Sequence, residues 1–387
     1  MVFEFATAGR IIFGPGTLRQ IGPLAGETGS RAFVVLGQSL SRAEPLLVLL
    51  DRERIKTVTF QVPGEPTIDL IRQGALLARE SESDLVIGFG GGSVVDAGKA
   101  IAALVANKEK IEDYLEVIGQ SRPLTSPPLP YFAVPTTAGT GAEVTRNAVL
   151  VSPEHKVKVS LRSPLMLPKV AVIDPTLTYS LPPQVTAATG LDALTQLIEP
   201  LVSLKANPMT DALCREGISR VANSLRKAYK EGTNAAARQD MALASLFGGL
   251  ALANAGLGAV HGLAAPIGGM FPAPHGLVCA RLLPLVMAAN IRALQERSPD
   301  SPALKTYDQI AFLLTRKEGA KALEGVEWVQ ETCTRFNIPA LARFGVTVEV
   351  LPELIKKAAG ASSMKGNPIQ LTAQELRVIL VKALVRK

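Results

Sequence analysis

The first half of the chain alternates short apolar runs with amphipathic segments, and this order constrains the fold most. Residues 32–37 and 85–89 are continuous apolar runs that end near glycine, which is typical of parallel strands covered on both faces. Residues 58–62 alternate like a further strand, which a Pro-Gly pair ends. A segment from about 67 to 82 has apolar residues at helical spacing. Strand, helix and strand in this order predict a right-handed, parallel α/β layer.

Beyond Asp174 and Pro175, strand-like runs become scarce and Ala- and Leu-rich helical segments take over. A Pro-Pro pair at 182–183 marks the change, because proline is favoured in the first turn of a helix and disfavoured inside one. A chain of 387 residues is also too long for one small core. We therefore predict an α/β domain over 1–180 and an all-helical domain over 181–387. The helices are expected at about 183–202, 208–229, 236–268, 276–296, 306–317, 320–335, 348–359 and 372–385.

Composition narrows the classes of function. A hydrophobic share of 47% with 19% charged residues is ordinary for a soluble globular protein and excludes intrinsic disorder. The net charge of +7 is diffuse, without a run of five or six like charges, so we expect no nucleic-acid partner. No signal peptide and no apolar stretch near the ~20 residues of a membrane span are visible, so we expect no membrane partner. Three widely spaced cysteines offer no disulfide framework and no CxxC pair, which favours a reducing, cytoplasmic compartment.

Two polar, glycine-containing loops follow predicted strands. Residues 90–93 (GGGS) connect a strand to a helix, where free backbone N–H groups and the helix start can hold an anion. This sequence is neither GxGxxG nor a P-loop, and three glycines can also simply form a tight turn. Residues 135–145 (PTTAGTGAEVT) add three threonines after the next apolar run. Ligands of open α/β sheets bind at the carboxyl ends of strands, so the two loops together favour a dinucleotide site.

Seven motifs in order make the chain resemble the iron-containing (group III) alcohol dehydrogenase family over nearly its whole length. The resemblance implies a Rossmann-like dinucleotide-binding domain and a helical metal domain with a cleft between them, the architecture shared with dehydroquinate synthase. It also implies that a small alcohol and its aldehyde or ketone are interconverted by hydride transfer with NAD(P). We assign no role to the last motif. The motifs are FGPG (13–16), GGGSVVDAGKA (90–100), PTTAGTGAEVT (135–145), Asp174-Pro175, GLDALTQLIEP (190–200), VHG with PHG (260–262 and 274–276) and SSMKGNP (362–368).

The resemblance also implies a set of cofactor-binding residues. Three positions of the first loop would hold the pyrophosphate, with an aspartate at the same helix start; the threonines would line the diphosphate and nicotinamide, and a lysine would reach the ribose. These residues are Gly91, Gly92, Ser93, Asp96, Thr136, Thr137, Thr140 and Lys158. The spacing of Lys158 alone would equally suit a solvated lysine on an edge strand.

The residue at the end of the first strand bears on cofactor choice. NAD-preferring members of the family commonly have an aspartate there, which binds the ribose hydroxyls and repels a 2′-phosphate. This chain has Gly37, with Arg42 nearby as a possible phosphate partner. We therefore expect NADP(H) to be preferred over NAD(H), although acceptance of both is the alternative.

The metal site implied by the resemblance consists of Asp192, Gln196, His261 and His275, with Asp192, His261 and His275 as the catalytic residues. Asp192 and Gln196 are four residues apart and so share one helix face. The family normally has histidine in place of Gln196. We expect a divalent metal, Fe²⁺ or Zn²⁺, to bind with the Gln196 amide as a weaker donor. The alternative is a metal-free site in which Gln196, His261 and His275 hydrogen-bond the substrate carbonyl.

A second family histidine, four residues after His261, is Ala265 here, which removes a candidate proton relay. The proton must then pass through His275, a ribose hydroxyl or water, and the sequence does not choose among them.

Other functions remain open on this scaffold. The first is a maleylacetate-reductase-like activity on an acidic keto substrate, with or without metal. A lyase or synthase related to dehydroquinate synthase and a non-catalytic binding protein are the others. We expect a small alcohol or aldehyde as substrate and, from chain length and the family, a homodimer.

Overall fold

The computed structural model describes residues 2–385. They form two compact units. The α/β unit comprises Ala6–Thr137 and Gly141–Tyr179. The helical unit comprises residues 2–5, Ala138–Thr140 and 180–385, so three residues of the second polar loop group with the helices.

The α/β unit is built on a six-stranded, wholly parallel sheet with the order β1-β8-β5-β4-β2-β3, and β6 and β7 form a separate antiparallel pair. This confirms the predicted parallel α/β layer. The elements are β1 (Ile11–Phe13), α1 (Ile21–Gly26), β2 (Arg31–Leu36), α2 (Glu44–Arg52), β3 (Lys56–Gln61), α3 (Ile68–Glu80), β4 (Leu85–Gly90), α4 (Gly92–Ala106), α5 (Ile111–Tyr114), β5 (Tyr131–Pro135), β6 (Asn147–Ser152), β7 (Val157–Arg162) and β8 (Val170–Ile173).

The sheet is apolar on both faces, which explains the continuous apolar runs in the sequence. Phe33 and Val86 pack into one buried cluster, whereas Val34 and Ile87, their neighbours along the strands, pack into the other. The chain adds β3 on one side of β2 and β4 on the other. Such a reversal opens a crevice at the carboxyl ends of the strands, where open α/β sheets bind ligands.

Tyr131 fixes the spacing between β4 and α4. Its hydroxyl donates a hydrogen bond to the carbonyl of Val95 at 2.9 Å. A Cβ at Gly88 would lie 2.2 Å from the hydroxyl oxygen of Tyr131, and one at Gly98 would lie 2.6 Å from the ring. The ring therefore occupies space that two glycines leave free, and α4 starts close against the sheet.

The helical unit contains no strand among its described residues, which confirms the predicted all-helical second part. Its helices are α6 (Pro183–Leu201), α7 (Pro208–Lys230), α8 (Ala235–Ala255), α9 (Ala259–Met270), α10 (His275–Arg297), α11 (Pro302–Thr315), α12 (Ala322–Arg335), α13 (Leu351–Ala359) and α14 (Ala373–Leu384).

The prediction of one helix over 236–268 is wrong. The chain forms α8 and α9 there, bent by 98° at a short break. Gly256, just after α8, has a φ of +72°, a left-handed conformation that glycine adopts without steric cost. Because α9 begins at Ala259, His261 lies in its first turn and not near the end of a long helix.

Helix α10 belongs to the core of its unit. By length and composition it could cross a membrane, but 72% of its most apolar 18-residue stretch is buried inside the structure. Pro284 lies within the helix and has no N–H to donate to the carbonyl of Ala280. The thiol of Cys333 lies 3.2 Å from that carbonyl and donates to it instead.

Replacing Gly98 by alanine is expected to lower the free energy of unfolding by up to about 2 kcal/mol. Overpacking against Tyr131 costs about 1–3 kcal/mol, and the better helix propensity of alanine offsets about 1 kcal/mol of that. Gly64→Ala is the matched control, because a Cβ there meets no atom within 4 Å. Urea unfolding followed by circular dichroism measures both variants; equal stability of the two would contradict this account of the packing.

Candidate active site

Four side chains of the helical unit converge. Asp192 comes from α6, His261 from α9, and both His275 and Cys279 from α10; their ligand atoms all lie within 4.8 Å of one another. Asp192 Oδ1 is 3.6 Å from His261 Nε2 and 3.7 Å from His275 Nε2. Cys279 Sγ is 3.5 Å from His275 Nε2. The structure thus brings together three of the predicted site residues and adds a cysteine that the sequence analysis did not place there.

Helical spacing accounts for the two pairs within the cluster. His275 is the first residue of α10 and Cys279 follows four positions later, so they share a face. Gln196 follows Asp192 by the same interval, and its Nε2 donates to Asp192 Oδ2 at 3.0 Å. The Gln196 amide therefore binds Oδ2 of Asp192, while Oδ1 faces the two imidazoles.

Three buried atoms of this site have no hydrogen-bond partner within residues 2–385: Asp192 Oδ1, Gln196 Oε1 and His261 Nε2. The three residues are only 2%, 3% and 7% exposed, respectively. Leaving a buried polar atom unsatisfied costs about 1–3 kcal/mol. Carboxylate oxygen, amide oxygen and imidazole nitrogen are all donors to divalent cations. The residues present therefore fit the metal that the family resemblance implies.

Charge in the cluster also favours a cation. Burial alone would raise the pKa of Asp192, but the nearby His275 and His261 lower it below its ordinary value. Burial alone would lower the pKa of His261, but Cys279, Glu199 and Asp192 together raise it well above its ordinary value. Burial raises the pKa of the Cys279 thiol to about 12. The carboxylates of Glu199 and Asp192, which favour a proton on His261, also favour a metal ion, which would compete with that proton.

Glu199 orients His261. Its Oε2 accepts a hydrogen bond from His261 Nδ1 at 2.6 Å, and its Oε1 accepts one from the backbone N–H of Val260 at 2.6 Å. A carboxylate on one imidazole nitrogen fixes the tautomer and leaves the other nitrogen as a metal ligand. Sequence reasoning missed this residue, although it lies inside the quoted 190–200 motif seven positions after Asp192.

Asn367 gives the last motif of the sequence a role. Its Oδ1 accepts hydrogen bonds from the backbone N–H of Ala259 and from Asn290 Nδ2, both at 3.1 Å. Its own Nδ2 donates to Asn290 Oδ1 at 2.8 Å. Because Ala259 is the first residue of α9, Asn367 secures the turn of helix that carries His261.

In the α/β unit, the predicted cofactor residues Gly37, Gly91 and Thr136 each directly follow one of the adjacent strands β2, β4 and β5. The N–H of Thr136 donates to the carbonyl of Gly90 at 2.8 Å, and a Cβ at Gly91 would lie 3.4 Å from the side chain of Thr137. Helix α4 starts beside them without a side-chain cap. Backbone N–H groups at such a helix start form a ready anion site. The predicted Thr140 groups with the helical unit.

Two other predicted cofactor residues contact protein groups. Asp96 accepts a hydrogen bond from the N–H of Val149 at 3.1 Å and pairs with Lys99 at 3.1 Å. Burial raises the pKa of Asp96 even so. The Lys158 side chain is 6% exposed and pairs with Glu65 at 2.9 Å, so the alternative of a solvated edge lysine is wrong. Contact of either residue with a cofactor stays a prediction.

Replacing Glu199 by glutamine is expected to weaken the binding of Zn²⁺ or Fe²⁺ about 10–100-fold, the usual effect of losing a group that holds a metal ligand. Competition with a chromophoric chelator measures the affinity. Glu143→Gln is the matched control, because Glu143 is another buried carboxyl group, 2% exposed, and lies in the α/β unit. Equal affinities for the two variants would show that Glu199 does not support the site.

Comparison with known proteins gives family matches over nearly the whole chain. The family model of the iron-containing alcohol dehydrogenases matches residues 8–175, and that of the C-terminal part of the Fe-containing alcohol dehydrogenase family matches residues 186–384. Alcohol dehydrogenase 4 of Saccharomyces cerevisiae is 38% identical over 339 residues, which are 87% of this chain and 85% of the relative.

Solved structures agree with these matches. A crystal structure of 1,3-propanediol oxidoreductase superposes with a TM-score of 0.91 at 32% identity, covering 99% of this chain and 100% of the other. Sulfoacetaldehyde reductase from Bifidobacterium kashiwanohense, solved with NAD⁺, gives a TM-score of 0.87 at 26% identity and covers 100% of both chains. The resemblance seen in the motifs is thereby confirmed: the chain belongs to the iron-containing alcohol dehydrogenase family and is an enzyme of alcohol oxidoreduction.

Proposed function

We propose that the enzyme interconverts a small alcohol and its aldehyde or ketone with NAD(P)(H), assisted by a divalent cation that Asp192, His261 and His275 hold beside Gln196. The convergence of Asp192 Oδ1 with the Nε2 atoms of the two histidines, at 3.6 and 3.7 Å, carries the proposal. When bound, the cation polarises the oxygen of the substrate and the nicotinamide exchanges the hydride.

The side chains of the site orient the groups that would hold the cation and provide a path for the substrate proton. Asp192, held by Gln196, and His261, held by Glu199, are fixed before any ligand arrives. The side chains of Asp192 and His261 are 3% and 8% exposed, whereas that of His275 is 31% exposed. We therefore propose that the substrate proton reaches solvent beside His275. This route would replace the histidine relay that the family has at the position of Ala265.

For the cofactor, we propose the glycine and threonine edge formed after β2, β4 and β5, with NADP(H) preferred. Gly37 introduces no carboxylate that would repel a 2′-phosphate. Arg42 is exposed and donates to the carbonyl of Leu177 at 3.0 Å, which holds its guanidinium near this end of the sheet. Cytoplasmic location and a homodimeric state remain part of the proposal.

Consumption of NADPH and NADH with a panel of aldehydes, ketones and keto acids tests this function. We expect oxidation of NADPH by aldehydes, with a lower KM than for NADH, loss of activity with a chelator, and recovery with Fe²⁺ or Zn²⁺. No oxidation under any condition, together with no cofactor binding by fluorescence, would overturn the dehydrogenase proposal. Full turnover by protein holding only trace metal would instead favour direct hydrogen bonds from Gln196, His261 and His275 to the carbonyl.

Replacing Gln196 by histidine tests whether this side chain faces the cation. We expect the affinity for Zn²⁺ or Fe²⁺ to rise by about tenfold or more, because imidazole is a stronger donor than an amide oxygen. Gln295→His, at an exposed position of α10, is the control and should leave the affinity unchanged. An unchanged affinity in Gln196→His would mean that position 196 faces away from the cation.

A further inference from the structure

Cys279 is the one member of the converging cluster that the proposed function does not use. We propose that its thiolate binds the same cation, so that the site combines carboxylate, imidazole and sulfur donors and favours Zn²⁺ over Fe²⁺. This inference rests on the proposed function, because it requires a cation between Asp192, His261 and His275.

Three of the six distances among the ligand atoms are close to the edges of a tetrahedron around zinc. With Zn–S at about 2.3 Å and Zn–N at about 2.0–2.1 Å, a tetrahedral S···N edge is about 3.6 Å. The observed distance between Cys279 Sγ and His275 Nε2 is 3.5 Å. A tetrahedral N···O edge is about 3.4 Å by the same reasoning, and the two observed distances from Asp192 Oδ1 to the imidazoles are 3.6 and 3.7 Å. The other three distances among the four ligand atoms are all below 4.8 Å, so a shared cation requires the side chains on these edges to move closer on binding.

The atoms around Cys279 independently indicate a ligand. Asp192 Oδ1 and His261 Nε2, both in buried side chains, have no hydrogen-bond partner among the described residues. Each lies within 4.8 Å of the sulfur. A neutral thiol has a single S–H and can donate to only one of these atoms, whereas a cation satisfies both and takes sulfur as a further ligand.

The other two cysteines have different surroundings. Cys333 donates to the carbonyl of Ala280, which Pro284 leaves without its helical partner. Cys214 is 0% exposed and packs in the apolar core of the helical unit. Among the three free cysteines, only Cys279 belongs to the group of metal-ligating side chains.

Sulfur changes which metal the site prefers. Thiolate is a soft ligand that selects Zn²⁺ over Fe²⁺, and imidazole suits either metal. On binding, the S–H bond of Cys279 breaks, a sulfur–metal bond forms and one proton passes to solvent, without electron transfer. The Gln196 amide oxygen can add to the four donors as a weaker, harder ligand.

Co²⁺ is the probe for this proposal, because its visible bands report binding and a near-ultraviolet thiolate-to-cobalt band reports sulfur ligation. The metal-free full-length protein is titrated with Co²⁺ alone. We expect both sets of bands in the wild type and in Cys214→Ala, and loss of only the near-ultraviolet band in Cys279→Ala and Cys279→Ser. Visible bands without a near-ultraviolet band in the wild type would overturn sulfur ligation and leave the proposed function standing. No cobalt bands at all would overturn the metal part of both proposals.

Competition between Zn²⁺ and Fe²⁺ under anaerobic conditions provides a readout of preference without any assay of activity. We expect the Zn²⁺-to-Fe²⁺ ratio bound at equal free concentrations to fall by about tenfold or more in Cys279→Ala relative to the wild type, since even losses outside the ligand shell change metal affinity 10–100-fold. Cys214→Ala should keep the wild-type ratio. The same ratio in Cys279→Ala would contradict the proposed role of sulfur in metal choice.

Discussion

The site depends on the sharp turn between α8 and α9, and buried polar contacts hold that turn. Gly256 supplies the left-handed conformation that ends α8. A Cβ at Gly258 would come within 2.9 Å of both Glu199 and Asn367, so the missing side chain lets these two residues reach the start of α9. They accept backbone N–H groups of the first turn, which otherwise have no partner within the helix. Glu199 also holds His261 directly. The same contacts thus start the helix and orient the imidazole of His261.

The predicted anion-binding loops of the α/β unit meet a different constraint. An anion can approach backbone N–H groups only where no side chain covers them and the backbone is held in place. Glycines leave the backbone of these loops uncovered, and the contacts of Tyr131 and Lys99 hold it in place. Lys99 is only 1% exposed, and burial of its ammonium group would be costly without partners. It donates to the carbonyl of Ala142 and the hydroxyl of Thr145, both at 2.8 Å, and pairs with Asp96. A buried charge thereby ties helix α4 to the last residues of the second polar loop.

Local sequence patterns predicted the central strands β2, β3 and β4 and most helices of the second unit, because apolar spacing reports which faces of an element are covered, but they did not predict β1, β6 or β8. They failed at 236–268, where apolar residues continue through the turn, although Gly256 and Gly258 are local signals of a helix end there. Cys279 follows His275 by four residues, and this helical interval is a local signal that places the sulfur beside the imidazole, although it indicates neither a disulfide nor a CxxC pair. Asn367 stood in a motif without a role, because its partners Ala259 and Asn290 lie 108 and 77 residues away in the chain.

The sequence by itself determined the two-part α/β and helical organisation and the family, and it singled out Asp192, His261 and His275, which the structure brings together. Motif order and apolar periodicity are local properties of the chain, so they can be recognised without coordinates. Only the tertiary structure decided which atoms face one another: Asp192 Oδ1 towards two imidazoles, Glu199 behind His261, and the sulfur of Cys279 within the same cluster. These contacts join three helices across long stretches of chain, and the directions of those helices depend on turns and buried polar contacts that local periodicity does not encode.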